Sequence, residues 1–120
     1  MKPVNLHEAF ATFQEHWRPR TAGFVNGQVV KLVKFQGEFV WHKHDGTEEM
    51  FLVHKGAMTV RFRDRDVLLN AGEFFIVPRG VEHITLADEE CEAILFEQAG
   101  TRNTGDITDA TMTALDEPAV

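Results

Sequence analysis

Apolar positions recur at helical spacing near the start of the chain and then change to the shorter rhythm of strands. Leu6, Phe10, Phe13 and Trp17 follow one another at steps of four, three and four, with Ala9 on the same face. That period predicts one amphipathic helix within residues 1–20. Asn5 is placed to cap it, Glu8 completes a capping-box-like pair, and Pro19 marks its end. From Arg20 the chain breaks into short runs rich in Val, Ile, Leu and Phe. They are punctuated by Asn26-Gly27, Gln36-Gly37, Asp45-Gly46, Lys55-Gly56, Ala71-Gly72 and Pro78-Arg79-Gly80. The runs predict strands over 28–35, 39–44, 50–54, 57–63, 73–77, 81–86 and 91–96. Met58, Val60 and Phe62 alternate with Thr59, Arg61 and Arg63, giving that strand one apolar and one wet face. Many short strands with no helix between them predict an all-β sandwich or barrel. The expected organisation is an N-terminal helix in 1–20 packed on a single barrel domain over 21–99, followed by an acidic tail, 100–120. The tail is poor in bulky apolar residues and is expected to cover a surface or stay mobile.

Composition narrows the function classes. The 120 residues suffice for one domain with one core, and ten phenylalanines with no tyrosine make that core aromatic. A net charge of −7 and a pI near 5.3 disfavour nucleic-acid and anionic-membrane partners. Cys91 is the single cysteine, so intramolecular disulfides and multi-cysteine metal clusters are ruled out. The first residues lack the apolar core of a signal peptide, and no run reaches the roughly 20 apolar residues of a spanning helix, so a cytoplasmic location is expected.

Chemistry concentrates in Trp41-His42-Lys43-His44-Asp45-Gly46-Thr47-Glu48-Glu49. Residues two apart on a strand share a face, so His42 and His44 project together. The Asp45-Gly46 turn then returns a glutamate to them. Glu49 shares the parity of the apolar Phe51 and Val53 and is preferred over Glu48. His83, after the Pro78-Arg79-Gly80 turn, offers a third imidazole. Three histidines and a carboxylate suit a divalent first-row metal and lack the thiolates of a closed zinc cage. Four protein donors leave two positions of a six-coordinate ion for water, substrate or dioxygen.

These residues carry a resemblance. Gly37 through His42, His44 and Glu49 to Gly56, and Gly72 through Pro78 and Gly80 to His83, resemble the two motifs of the cupin superfamily, G-x5-H-x-H-x3–4-E-x6-G and G-x5-P-x-G-x2-H-x3-N. Two departures stand out: four residues, not five, separate Gly37 from His42, and Ala87 occupies the final Asn position. The resemblance covers roughly residues 29–96. It implies a jelly-roll β-barrel whose mouth holds one divalent metal (iron, manganese, nickel or zinc) on His42, His44, Glu49 and His83. It also implies a metal-dependent isomerase, dioxygenase or lyase acting on a small oxygen-rich metabolite such as a sugar, sugar acid or diketone. The alternative is a non-catalytic module that captures a ligand or metal.

The remaining candidates have plainer readings. His54 is expected to be an exposed or packing residue, and His7 and His16 to face solvent from the helix. Arg61, Arg63 and Arg65 read as a solvated face, and Cys91 as a small core residue. No catalytic acid or base is assigned; Glu48 is a weak candidate. Apolar area on the N-terminal helix, beyond what one barrel covers, predicts a homodimer.

Overall fold

In a computed structural model describing residues 2–120, the helix is followed by seven antiparallel strands. After α1 (Leu6–Phe10) come β1 (Arg20–Val25), β2 (Gln28–Glu38), β3 (Glu49–Lys55), β4 (Ala57–Phe62), β5 (Asp66–Asn70), β6 (Phe74–Val77) and β7 (His83–Gln98). The main order is β1-β2-β7-β3-β6, with β5 and β4 attached to β7 through β4. The long β7 explains the closure. Its first residues pair with β4, from Thr59↔Leu86 to Phe62↔His83, and its later residues pair with β3, from Glu49↔Glu97 to Lys55↔Glu92. One strand thus joins both leaves of the jelly roll, as expected of an all-β jelly-roll barrel with a short N-terminal helix.

The core lies between the leaves. Val33, Phe35, Phe51, Val53, Met58, Val60, Phe62, Leu95 and the small Ala93 and Cys91 fill it. A second cluster forms on the outer face of the sheet, where Ala9, Phe10 and Phe13 cover Leu32 and Ile94. Burying side chains of this size stabilises by roughly 1.5–3 kcal/mol each. Both faces of β2 are therefore covered, and the helix's apolar residues are spent on the chain's own sheet instead of being left for a partner.

Several elements differ from the expected ones. The helix stops at Phe10, although Asn5 does cap it by accepting the Glu8 N–H at 2.9 Å. Lys34 Nζ donates to the Phe13 carbonyl at 2.8 Å, and the Trp17 N–H donates to the Lys34 carbonyl, so the following chain lies along β2. Trp17 then takes φ 61°, and its indole packs with the barrel core, stacking on Phe35 and Phe39 and donating to the Gln36 carbonyl. Tertiary pairing thus outcompetes the helical period. His16 consequently lies off the helix and pairs with Glu90 at 2.7 Å. The predicted strand 39–44 is reduced to a single bridge, His42↔His83, because Lys43 spends its backbone N–H and carbonyl on Asp106. The predicted strands 81–86 and 91–96 merge into β7; a bulge sets Gln36 alone against Asp88, Glu89 and Glu90. The strands β1 and β5 were not anticipated, since Ala22-Gly23 and the short 66–70 run carry little alternation.

The C-terminal residues pack against the barrel. Thr21 bridges to Ala119, Arg18 donates to the Thr111 and Met112 carbonyls, and Asn103 and Thr104 are buried. Gly105 lies so close to the His42–Lys43 segment that a Cβ would overlap the Lys43 carbonyl oxygen. Among the described residues, no helix is long and apolar enough to cross a membrane.

Gly56 joins β3 to β4 at φ +85°, and a Cβ there would stand 2.8 Å from the Glu90 carbonyl oxygen at the β7 bulge. Gly72 has φ +86° but open space around it. Gly56→Ala is expected to destabilise by about 1–3 kcal/mol and by more than Gly72→Ala, read from urea denaturation midpoints.

Candidate metal centre

Two backbone hydrogen bonds set the site's frame. His42 and His83 exchange both N–H···O=C bonds at 2.9 Å, which brings the segment after Phe39 onto the start of β7. Glu49 opens β3, and His44 ends the stretch between them, its carbonyl accepting the Gly80 N–H at 2.9 Å. The Pro78-Arg79-Gly80 turn thereby anchors His44 as well as leading to His83.

Each of the two bridged imidazoles is oriented by its own strand. His42 Nδ1 contacts the Val40 carbonyl at 2.8 Å, and His83 Nδ1 contacts that of Val81 at 2.9 Å. A carbonyl only accepts, so each Nδ1 carries the hydrogen and each Nε2 is left with a free lone pair. His44 Nε2 lies 3.4 Å and His83 Nε2 3.5 Å from Glu49 Oε1. One donor atom from each of His42, His44, Glu49 and His83 lies within 4.8 Å of the others, and all four residues are buried. His44 Nε2, Glu49 Oε1 and His83 Nε2 have no hydrogen-bond partner. Leaving such atoms unsatisfied costs about 1–3 kcal/mol each. At metal–ligand bonds of about 2.0–2.2 Å, adjacent donors stand about 3 Å apart, so a modest contraction of this cluster fits a divalent cation.

The electrostatics agree with that use. Burial, and next the neighbouring His83, push His42 down to about 4, so the imidazole is neutral near pH 7 and able to donate its lone pair. Burial alone would raise the Glu49 carboxyl, but contacts with His44 and His83, and a further one with Glu97, hold it well below the usual range. Glu97 goes the opposite way, raised by burial and then by Glu49's negative charge. Cys91 is not among the clustered donors, and burial lifts its thiol to about 12.

A mostly apolar cavity reaches the cluster. Trp17, Val33, Phe35, Phe39, Phe51 and Leu95 form its walls, Thr85 and Asn103 add polar atoms, and His42 and Glu49 lie at its base. Its free space is about 20 Å³, room for about one water. A wider polar cleft of about 430 Å³ flanks His44 between the 43–47 turn and residues 98–106.

The structure brings together all four residues singled out in the sequence. Glu48 is exposed, His54 stacks on Phe10 at 5.5 Å, and Arg63 lies over Trp41 at 3.7 Å while pairing with Glu82. Trp17 was read as part of a helix stripe and instead forms a cavity wall. Lys31 and Glu97, charged residues at apolar parity on their strands, also escaped notice; parity with Val33 and with Leu95 was the signal that marks them as inward.

Comparison with known proteins places these features in a wider group. The family profile described as Cupin domain matches residues 29–97. The crystal structure of a cupin-2 domain containing protein from Shewanella frigidimarina NCIMB 400 superposes with a TM-score of 0.78 at 43% identity, covering 79% of this chain and 93% of that one. That of protein NMB1881 from Neisseria meningitidis gives 0.75 at 28% identity, covering 82% and 100%. The uncharacterized protein YdbB of Bacillus subtilis (strain 168) is 36% identical over 62 residues, 51% of this chain and 55% of that protein. The chain thus matches about half the length of that relative.

Because His42 in the folded protein holds its proton more weakly than an ordinary histidine, the unfolded chain binds the extra proton between pH 6.5 and about 4. Stability of metal-free protein is therefore full above pH 6.5 and falls as pH drops toward 4. The His42 contribution to that fall is on the order of 3 kcal/mol. Urea unfolding at pH 7 and pH 4.5 should show it, with a flatter dependence in His42→Gln.

Proposed function

The chain belongs to the cupin domain family, and on that premise we propose that it is a metal-dependent enzyme for a compact, largely apolar small molecule that chelates through oxygen. His42, His44, Glu49 and His83 are the ligands of one divalent transition-metal ion. The observation that carries the reading is a quartet of buried donors, three of them without partners, at the base of an aromatic cavity.

A bound divalent cation supplies Lewis-acid polarisation of a chelated carbonyl or hydroxyl. The chain's own residues do the rest. Val40 and Val81 carbonyls fix the tautomers of His42 and His83, and the aromatic walls leave room for about one water. Of the lining residues only His42 and Glu49 titrate, and both are committed as ligands. The chemistry therefore suits a substrate that needs no separate protein base.

Among sugars, sugar acids and diketones, the walls favour the diketone type. No lysine or arginine lines the cavity to receive a carboxylate or phosphate. The Asn103 amide is occupied by the Met112 carbonyl and the Ala114 N–H. Each sugar hydroxyl buried here without a partner would cost about 1–3 kcal/mol. The small free volume selects a compact ligand, and the lining must give way to admit it. Capture without turnover is the second reading, favoured by the absence of a free acid or base among the lining residues. A homodimer remains part of the proposal, with exposed Val4, Phe24 and Val25 as its apolar surface.

Metal-stripped protein offered Fe²⁺, Mn²⁺, Ni²⁺ and Zn²⁺ in turn should take up one equivalent of at least one. His44→Ala and His83→Ala should each weaken uptake by more than the roughly 10–100-fold that loss of an outer partner costs. Loaded protein should bind acetylacetone and not galacturonate, read by quenching of tryptophan fluorescence. Consumption of acetylacetone supports the enzyme reading and binding without consumption supports capture, while preference for galacturonate contradicts the substrate class.

A further inference from the structure

Glu49 has a second buried carboxyl as its cross-strand neighbour. Glu97 stands directly opposite it in the β3–β7 register, which puts the two buried side chains side by side on one face of the sheet. Glu97 is 1% exposed, as is Lys31 on β2. Lys31 Nζ lies 2.9 Å from Glu97 Oε1, 2.6 Å from Glu117 Oε1 and 3.0 Å from the Thr101 carbonyl. Thr101 and Glu117 both belong to the C-terminal segment. A continuous polar path therefore runs from that segment through Lys31 and Glu97 to the carboxylate beside His44 and His83.

Burying such a set is expensive. A buried ion pair is often no more stabilising than well-packed apolar residues in its place. The neighbours Val29, Val33 and Leu95 show that this part of the barrel accommodates apolar side chains at the same parity. Stability of the barrel does not account for Lys31 and Glu97, whereas their place beside Glu49 gives them a use. A carboxylate ligand turns about its last torsion, and a partner on its far oxygen stops it.

We propose that Glu97 is a positioning residue that fixes the Glu49 carboxylate toward the three imidazoles, and that Lys31, held by Thr101 and Glu117, fixes Glu97. The inference rests on the reading of Glu49 as a metal ligand. It makes the C-terminal segment a structural support of the centre and no mere surface cover.

The test compares full-length wild type, Glu97→Gln and the double variant Lys31→Met/Glu97→Leu, each metal-stripped and titrated with Zn²⁺ and with Mn²⁺. The double variant leaves neither ion buried alone, so its metal-free thermal midpoint should equal or exceed that of wild type. Its metal affinity should nevertheless fall by about 10–100-fold. Glu97→Gln, which keeps a hydrogen-bonding group at both ends, should bind close to wild type. A double variant that binds as tightly as wild type overturns the proposal, as does Glu97→Gln falling as far as the double variant. If the double variant does not fold, Glu117→Gln at the partly exposed end carries the test. Severalfold weaker binding supports the proposal, and unchanged affinity overturns it. Wild type that takes up neither ion contradicts the ligand reading itself, whereas wild-type uptake matched by the variants contradicts only the positioning role.

Discussion

Three buried donor atoms without partners, His44 Nε2, Glu49 Oε1 and His83 Nε2, set the terms for the rest of this structure. A barrel of this size gains most of its stability from residues such as Val60, Leu32 and Phe51, and orphaned polar atoms subtract from that gain. Their neighbours do not relieve the cost within the protein. The Nδ1 atoms of His42 and His83 are spent on their own strands, so their Nε2 lone pairs are left for the centre. A shared cation would satisfy every one of these donors at once. The backbone of His42 is pinned to that of His83 by two reciprocal bonds, which gives such an ion a rigid frame.

The surroundings divide into two kinds of support. On the cavity side, Trp17, Phe35, Phe39 and Phe51 supply shape and dryness but almost no hydrogen bonding. On the other, Glu97 and Lys31 place polar groups in a region that apolar residues would fill. The C-terminal segment touches both. Asn103 contributes to the cavity, Asp106 occupies the backbone of Lys43 between two candidate ligands, and Glu117 reaches Lys31. The net charge of −7 thus conceals an interior in which acid and base are placed with care.

Much of the candidate site was legible in the sequence because its signals are local. Period-two spacing pairs His42 with His44, the parity of Phe51 and Val53 selects Glu49 over Glu48, and glycine and proline punctuation frames His83. What was not legible depends on distant pairing. The helix period runs on through Trp17, yet Lys34 draws that segment onto β2 and the indole swings into the barrel. The acidic run 88–90 falls in the gap between two predicted strands and is a bulge within one long strand. The tail carries few large apolar residues, and it docks through backbone and polar contacts such as Asp106 to Lys43 and Asn103 to Ala114, which leave no hydrophobic pattern to read. Lys31 and Glu97 did leave a trace, as charges where the alternation calls for apolar residues.

The most direct measurement is X-ray absorption spectroscopy of the metal-loaded protein at the edge of the bound ion. The account predicts a first shell of nitrogen and oxygen alone at about 2.0–2.2 Å, with outer-shell scattering from three imidazoles. A sulfur neighbour, which only Cys91 or a methionine could supply, or scattering from fewer than three imidazoles, would contradict it.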